Sequence, residues 1–307
     1  MEFRVPATSA NLGPGFDSLG LALKLYNRFS LKPSKITSIQ IHGEGSKNPK
    51  LRVDNVFVRI FNEQLKKLTG SAIPFKFVFD NAIPISRGLG SSSAVIIGAI
   101  SAAFKVAQVP FDKQKIVNLA LRYESHPDNI TPACMGGFNV CMLASRDKEV
   151  RFINQSLPDS ISAVVVIPNQ STSTHLSRQS LPKRYFQKDA VFNLSHASLL
   201  SSAFITGRFD LLREASQDRL HQFYRMKQIP LLFEVQRTAL QNGALMSTLS
   251  GSGSSFFSLC YQDDKKRLFD ALSQKFSKLK VLSLEFDNDG VLFENESLEY
   301  FGDEFKF

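Results

Sequence analysis

Pro84-Ile85-Ser86-Arg87-Gly88-Leu89-Gly90-Ser91-Ser92-Ser93-Ala94 is the stretch on which the reading of this chain turns. It follows a strand-like run at residues 75–80 and opens a long, apolar, alanine-rich segment, 95–106, that predicts a helix beginning at Ser92. Strand, glycine loop and helix start is a geometry that lets backbone approach a ligand, because glycine has no Cβ. The first helical turn adds N–H groups without helical partners and a partial positive charge, which suits phosphate. Three consecutive serines supply hydroxyls that can cap the helix, touch phosphate oxygens or reach a magnesium ion. An ordinary capped helix has the same composition, so the loop alone leaves both readings open. Two familiar phosphate signatures are excluded: no Gly-Lys-Ser/Thr follows, and the third glycine of a dinucleotide fingerprint is missing after Gly88 and Gly90.

With 307 residues the chain can form about two domains, or one large one, and can fold unaided. Its composition, 43% hydrophobic and 21% charged, is globular, and 27 phenylalanines without a tryptophan read as core filler. A net charge of +9 raises the question of nucleic acid. The basic residues are scattered in short groups such as Lys66-Lys67, Lys183-Arg184 and Lys265-Lys266-Arg267, mostly beside acids or on predicted helix faces. Attraction of small anions is therefore expected, and no nucleic-acid partner. Residues 1–5 have no apolar core of a signal peptide, and the most apolar run, 94–109, is interrupted by Ser101, Lys105 and Gln108 and is too short to span a bilayer. A cytoplasmic protein without a membrane partner is the expectation. Cys134, Cys141 and Cys260 have no Cys-x-x-Cys spacing and read as buried free thiols. His42, His175, His196 and His221 show no metal spacing.

Along the chain, residues 3–5 predict a short strand running into a loop rich in Gly, Pro, Asn and Ser at 6–17. Strands are expected at 19–31 and 36–42. Apolar residues three or four apart, Phe57, Phe61, Leu65 and Leu68, with Gly70 as the stop, predict an amphipathic helix over 55–68. A helix over 112–123, with Asp112 as N-cap, delivers Glu124-Ser125-His126-Pro127-Asp128-Asn129 to a loop, and a strand follows at 138–143. A polar stretch near 154–159 marks the boundary between an N-terminal nucleotide-binding domain, 1–155, and a C-terminal domain, 156–307. The second half opens on an apolar strand, 163–167, has a polar and irregular or short-helical segment at 170–188, and is helical over 189–242. Strands at 256–261 and 281–286 enclose a helix at 264–276. The layout is α+β, with no internal repeat.

Three glycine-containing loops, at 13–15, 88–90 and 251–253, each following an expected strand, suggest backbone converging on one ligand. In sequence and order, residues 6–17, 84–94 and 249–255 resemble the three motifs of the GHMP small-molecule kinases. Thr8-Ser-Ala-Asn-Leu-Gly-Pro-Gly-Phe-Asp17 and His126-Pro-Asp-Asn129 are most similar to the homoserine kinases of that group. The resemblance implies a fold, an N-terminal domain like ribosomal protein S5 domain 2 and a ferredoxin-like C-terminal domain, with the active site in the cleft between them. It implies transfer of the γ-phosphoryl of ATP to the side-chain hydroxyl of L-homoserine, in threonine biosynthesis, and a homodimer.

The same resemblance assigns roles. Residues Pro84 to Ala94 would hold ATP, and Ser92, with Ser91 near it, and Glu124 would hold Mg2+. Some relatives carry the carboxylate further upstream, where this chain has Asn118, which leaves Glu124 as the candidate. Asn129 stands where mevalonate kinase and galactokinase have Asp. An amide cannot take a proton, so Asn129 would orient substrate, and Asp128 is the alternative base. Arg178 and Arg225 fall where homoserine kinases bind the acceptor's carboxylate, a bidentate task that suits guanidinium. Asn11 and Asp17 would meet the ammonium and hydroxyl end, with His126 in support. Phe223 stands where the family usually has Pro, so Arg219 remains the alternative to Arg225. Serines replace part of the third motif, and its two glycines are kept for packing against the phosphate loop.

Overall fold

The computed structural model describes residues 1–144 and 149–295. Its first sheet contains β1 (Glu2–Ala10), β2 (Leu19–Pro33), β3 (Ser38–Gly43), β4 (Phe75–Asn81), β5 (Phe138–Leu143), β6 (Val150–Gln155) and β11 (Leu292–Asn295). The long strand β2 organises it, pairing antiparallel with β1 along most of its length, with β4 over 27–33 and with β5 over 19–21. β3 runs parallel to β4, and β6 extends from β5.

Between the strands lie α1 (Lys50–Val53), α2 (Val56–Thr69), α3 (Ser91–Val106), α4 (Lys113–Ala120) and α5 (Pro127–Met135). On α2 the apolar stripe Phe57, Ile60, Phe61 and Leu65 is buried, as its three-and-four spacing requires. Asn55 caps its start, its side chain accepting from Val58 N–H at 3.3 Å, and left-handed Gly70 ends it. The period-2 phenylalanines of β4, Phe75, Phe77 and Phe79, meet that stripe. Phe57 lies 4.9 Å from Phe29 and 5.0 Å from Phe79, and Phe61 lies 5.1 Å from Phe75, ring centre to ring centre. Part of the phenylalanine-rich composition thus forms an aromatic core between sheet and helix. α3 is apolar almost all round and is correspondingly buried between α2, α5 and β1.

The second sheet is antiparallel, with spatial order β10 (Lys280–Leu284), β7 (Ile161–Ile167), β9 (Phe256–Tyr261), β8 (Ala244–Leu249). Every residue of β7 is buried, which explains why it reads as a continuous apolar run without alternation. Between β7 and β8 come α6 (Thr174–Gln179), α7 (Gln187–Thr206), α8 (Leu212–Ala215), α9 (Gln222–Met226) and α10 (Leu231–Gln241); α11 (Lys265–Lys275) joins β9 to β10. Counted within this half, the strand order is fourth, first, third, second, the ferredoxin-like arrangement.

Four features depart from the expected layout. Residues 6–10, expected in a loop, continue β1, where they pair with β2, and β6 is a strand the sequence reading did not expect. Residues 127–129, expected in a loop, form the first turn of α5, because Pro127 occupies its first helical positions, where a missing N–H costs nothing. The chain also returns: β11 pairs with β1, and Phe286 bridges to Leu23, so the far end of the chain completes the first sheet.

Candidate active site

The N-terminus of α3 has the backbone geometry that suits an anion. Gly90, left-handed at φ +69°, precedes the helix with no side-chain cap, and the first helical hydrogen bond runs from Ala94 N–H to Gly90 O at 2.9 Å. The N–H groups of Ser91, Ser92 and Ser93 have no helical partner and are available to an anion. Ser92 is exposed; the side chains of Leu89 and Ser93 are buried, so these two present backbone alone, and Ala94, buried and with its N–H taken by Gly90 O, does not line the cleft. The loop is pressed from two sides. A Cβ on Gly90 would stand 1.9 Å from Thr8 Oγ1, and one on Gly88 would stand 2.2 Å from Ser250 O. Thr8 N–H donates to Leu89 O at 3.1 Å, Ser255 N–H to Arg87 O at 2.9 Å and Ser250 Oγ–H to Gly88 O at 2.6 Å, so the first and third loops both brace the second. Arg87 directs its guanidinium to backbone carbonyls, those of Pro168 at 3.0 Å and Asn169 at 2.6 Å, and so fastens the loop to the second half of the chain.

A cleft of about 460 Å³ runs past this loop, lined by Pro84 to Ser93. One end is apolar, with Phe29, Ile41, Val56, Phe57 and Phe79, and carries the amides Asn27, Asn55 and Asn81. The other end gathers Asn11, Asp17, Glu124, His126, Asp128, Asn129, Arg178 and Arg225. The positions singled out at both ends of the sequence therefore line one cavity. Arg219 does not line it; its guanidinium reaches Asp189 at 3.3 Å and lies over the Phe192 ring.

At the polar end Arg178 makes a two-point pair with Asp17, NH2 to Oδ1 at 2.5 Å and NH1 to Oδ2 at 3.1 Å. Both side chains keep about a third of their surface open, so the pair borders the cleft. Asn11, itself left-handed at φ +70°, accepts from Asp17 N–H at 3.0 Å and donates to Gly251 O at 2.9 Å, which ties the first loop to the third. Arg225 is buried, and its NH1 donates to Gly251 O and to His221 Nδ1, each at 3.1 Å. Burial, and after it the neighbouring Arg178 charge, lowers Arg225 to about 10, which leaves it cationic at neutral pH.

The start of α5 supplies the remaining groups. Thr8 Oγ1–H donates to Asn129 Oδ1 at 2.7 Å, so the amide oxygen is occupied and its NH2 is the donor end. Asp128 is 3% exposed, and Asn129 Nδ2 lies 3.4 Å from its Oδ1. Burial, then the Asp17 carboxylate, pushes Asp128 up to about 7. His126 Nδ1 lies 3.3 Å from Glu124 Oε1, and that contact raises the imidazole above its ordinary range. Sequence reasoning did not single out Thr8, although it lies in the first motif, nor His221 behind Arg225. It had no signal for the apolar end, whose phenylalanines are indistinguishable in sequence from core.

Residues 55–137 match the family model described as the GHMP kinases N terminal domain, and residues 200–278 the one described as GHMP kinases C terminal. A homoserine kinase of Wolinella succinogenes is 66% identical over 292 residues, covering 95% of this chain and 99% of that protein. A homoserine kinase of Helicobacter hepaticus is 62% identical over 294 residues, covering 95% and 98%. Among solved structures, a homoserine kinase from Cytophaga hutchinsonii aligns with a TM-score of 0.84 over 95% of this chain and 96% of that one; at 23% identity this is a likeness of fold.

Proposed function

The chain belongs to the GHMP kinases, and we propose that it is a homoserine kinase, transferring the γ-phosphoryl of ATP to the side-chain hydroxyl of L-homoserine to give O-phospho-L-homoserine in threonine biosynthesis. The observation that carries the reading is the cleft itself, with an uncapped helix N-terminus beside it and an acid and two guanidinium groups at one end. The apolar end takes the adenine, and the loop 84–94 takes the phosphates, with the free backbone N–H groups of Ser91, Ser92 and Ser93 as donors.

At the other end Asp17 and Arg178 now satisfy each other. A zwitterionic amino acid can enter between them with ammonium toward Asp17 and carboxylate toward Arg178 and Arg225, so each charge trades one partner for another. Asn11 and His126 border the same end. Asn129, its oxygen taken by Thr8, has N–H to offer the acceptor hydroxyl and cannot act as a base. Phosphoryl transfer through a loose transition state depends mostly on positioning and charge neutralisation, and lets the proton leave late. The donor set fits Mg2+: the exposed Ser92 hydroxyl and the Glu124 carboxylate line the same cleft and are hard oxygen ligands. When bound there, the ion would neutralise charge on the β- and γ-phosphates.

The proposal extends to two folding units, 1–155 and 156–307, the second lending β11 to the sheet of the first, a cytoplasmic location and a homodimer. No helix among the described residues is long and apolar enough to cross a membrane. Between Asp189 and Arg208, α7 and its cap carry no Asp, Glu, Lys or Arg, and Val191, Leu194 and Leu199 are exposed there, a face suited to self-association. The test of function is ADP release from the purified chain with ATP, Mg2+ and a panel of alcohols. Selective turnover of L-homoserine is expected; preference for mevalonate or a sugar, or binding without turnover, would overturn the reading.

A further inference from the structure

His221 is fully buried, has no part in the transfer outlined above, and lies against the arginine assigned to the acceptor carboxylate. Its two ring nitrogens have different partners. Nε2 is 2.8 Å from Gly13 O in the first loop, and Nδ1 is 3.1 Å from Arg225 NH1. A carbonyl oxygen can only accept and a guanidinium can only donate, so the ring is held neutral with its proton on Nε2. Burial depresses its basicity most; Asp218 opposes this and the Arg225 charge adds to it. Asp218 is itself occupied, accepting from the N–H groups of Leu220, His221 and Gln222 and from the Asn193 amide. It shapes the turn into α9 and stands 3.9 Å from the imidazole.

The surroundings leave Arg225 little freedom. NH1 has its two donors directed at His221 and Gly251, and Nε has no hydrogen-bond partner among the described residues. Phe16 forms the floor, its ring centre 5.1 Å from the His221 ring, 5.2 Å from Arg225 Cζ and 5.1 Å from Arg178 Cζ. We propose that His221 is a positioning residue: docked on the first loop through Gly13, its neutral imidazole turns the Arg225 guanidinium so that the remaining N–H groups face the carboxylate of the acceptor. The proposal rests on the reading of Arg225 given above.

Two substitutions separate the two ring contacts. His221→Asn keeps an acceptor near the Nδ1 position and is a favourable residue at a helix start. His221→Gln keeps a donor near the Nε2 position, but its amide oxygen is one bond further from the backbone than Nδ1 and leaves that position without an acceptor. The loss of a hydrogen bond to a charged group predicts that His221→Gln raises KM for L-homoserine about ten- to hundredfold with KM for ATP unchanged, and that His221→Asn recovers most of that loss. Equal KM values for L-homoserine in the two variants, or a parallel rise in KM for ATP, would overturn the proposal. The nitrogen-15 spectrum of the wild-type imidazole without substrate judges the geometry alone: protonated Nε2 and bare Nδ1 support it, and a charged ring or a proton on Nδ1 would refute it. A wild-type chain that ignores L-homoserine would overturn the acceptor reading and the carboxylate part of this proposal, whereas the spectrum would still decide the His221 contacts.

Discussion

Gly88→Ala, with Gly70→Ala as its control, separates backbone strain from the contact between the second and third loops. Both glycines are left-handed, at φ +76° and +84°. A residue with a Cβ costs about 1–2 kcal/mol in that region, reduced by about 0.4–1 kcal/mol because alanine stiffens the unfolded chain, so each variant loses roughly 1 kcal/mol from this cause. At Gly70 nothing lies within 4 Å of the added methyl. At Gly88 the methyl would stand 2.2 Å from Ser250 O and 2.8 Å from Gly253 O, both backbone atoms that cannot swing away. The loops must separate, and the hydrogen bonds from Ser250 Oγ to Gly88 O and from Ser255 N to Arg87 O go with them. At about 1 kcal/mol each, these bring the Gly88→Ala loss to roughly 3 kcal/mol. With about 2–4 °C per kcal/mol for a large domain, calorimetry should find Tm lowered by about 3 °C in Gly70→Ala and about 9 °C in Gly88→Ala. Because the displaced loop carries the start of α3, KM for ATP should rise about tenfold or more in Gly88→Ala and stay constant in Gly70→Ala. Equal melting shifts, or an unchanged KM for ATP in Gly88→Ala, would refute the claim that the third loop braces the phosphate site.

Glu124→Gln should lower kcat on the order of a hundredfold with Tm unchanged, and the His126 pKa should fall back toward its ordinary range in an NMR titration, since Glu124 is its main raising partner. Near-normal turnover at saturating Mg2+ would remove Glu124 from the site. Arg178→Lys gives up the two-point contact, and KM for L-homoserine should rise about tenfold; a change confined to KM for ATP would contradict the assignment. Asp128, pushed up to about 7 by burial, contributes stability that is fully present below the ordinary carboxylate range and is lost as pH rises to about 7. Melting curves of Asp128→Asn should therefore show a Tm advantage over wild type that grows between pH 4 and 7 and levels off above; an advantage independent of pH would mean that the carboxyl is not desolvated.

Much of the fold is local and was legible. The stripe of α2 and its Gly70 stop are set by neighbouring residues, through side-chain spacing and a left-handed terminus that glycine tolerates, while Asn55, read as the first helical residue, caps the helix instead. The family resemblance was carried by motif order, and the ferredoxin-like second half was expected only as what that resemblance implied. The misread stretch 127–129 shows how proline misleads: it ends helices from within but begins them well, and the two cases differ in what the following residues pack against. β11 had no signal because its place depends on the free edge of β1, some 290 residues away in the chain. The apolar end of the cleft was invisible for a related reason, since Phe29, Phe57 and Phe79 are themselves core residues and only the tertiary packing makes them border the cleft as well.

By itself the amino-acid order determined the glycine turn and the helix start at 88–93, because left-handed glycines and unpaired N–H groups at a helix start are properties of a few adjacent residues. Tertiary structure alone decided that Arg178 meets Asp17, 161 residues earlier, and that His221 stands between Gly13 and Arg225. Those encounters depend on how the two sheets pack against each other, a sum of many weak apolar contacts in which no single residue type announces its partner.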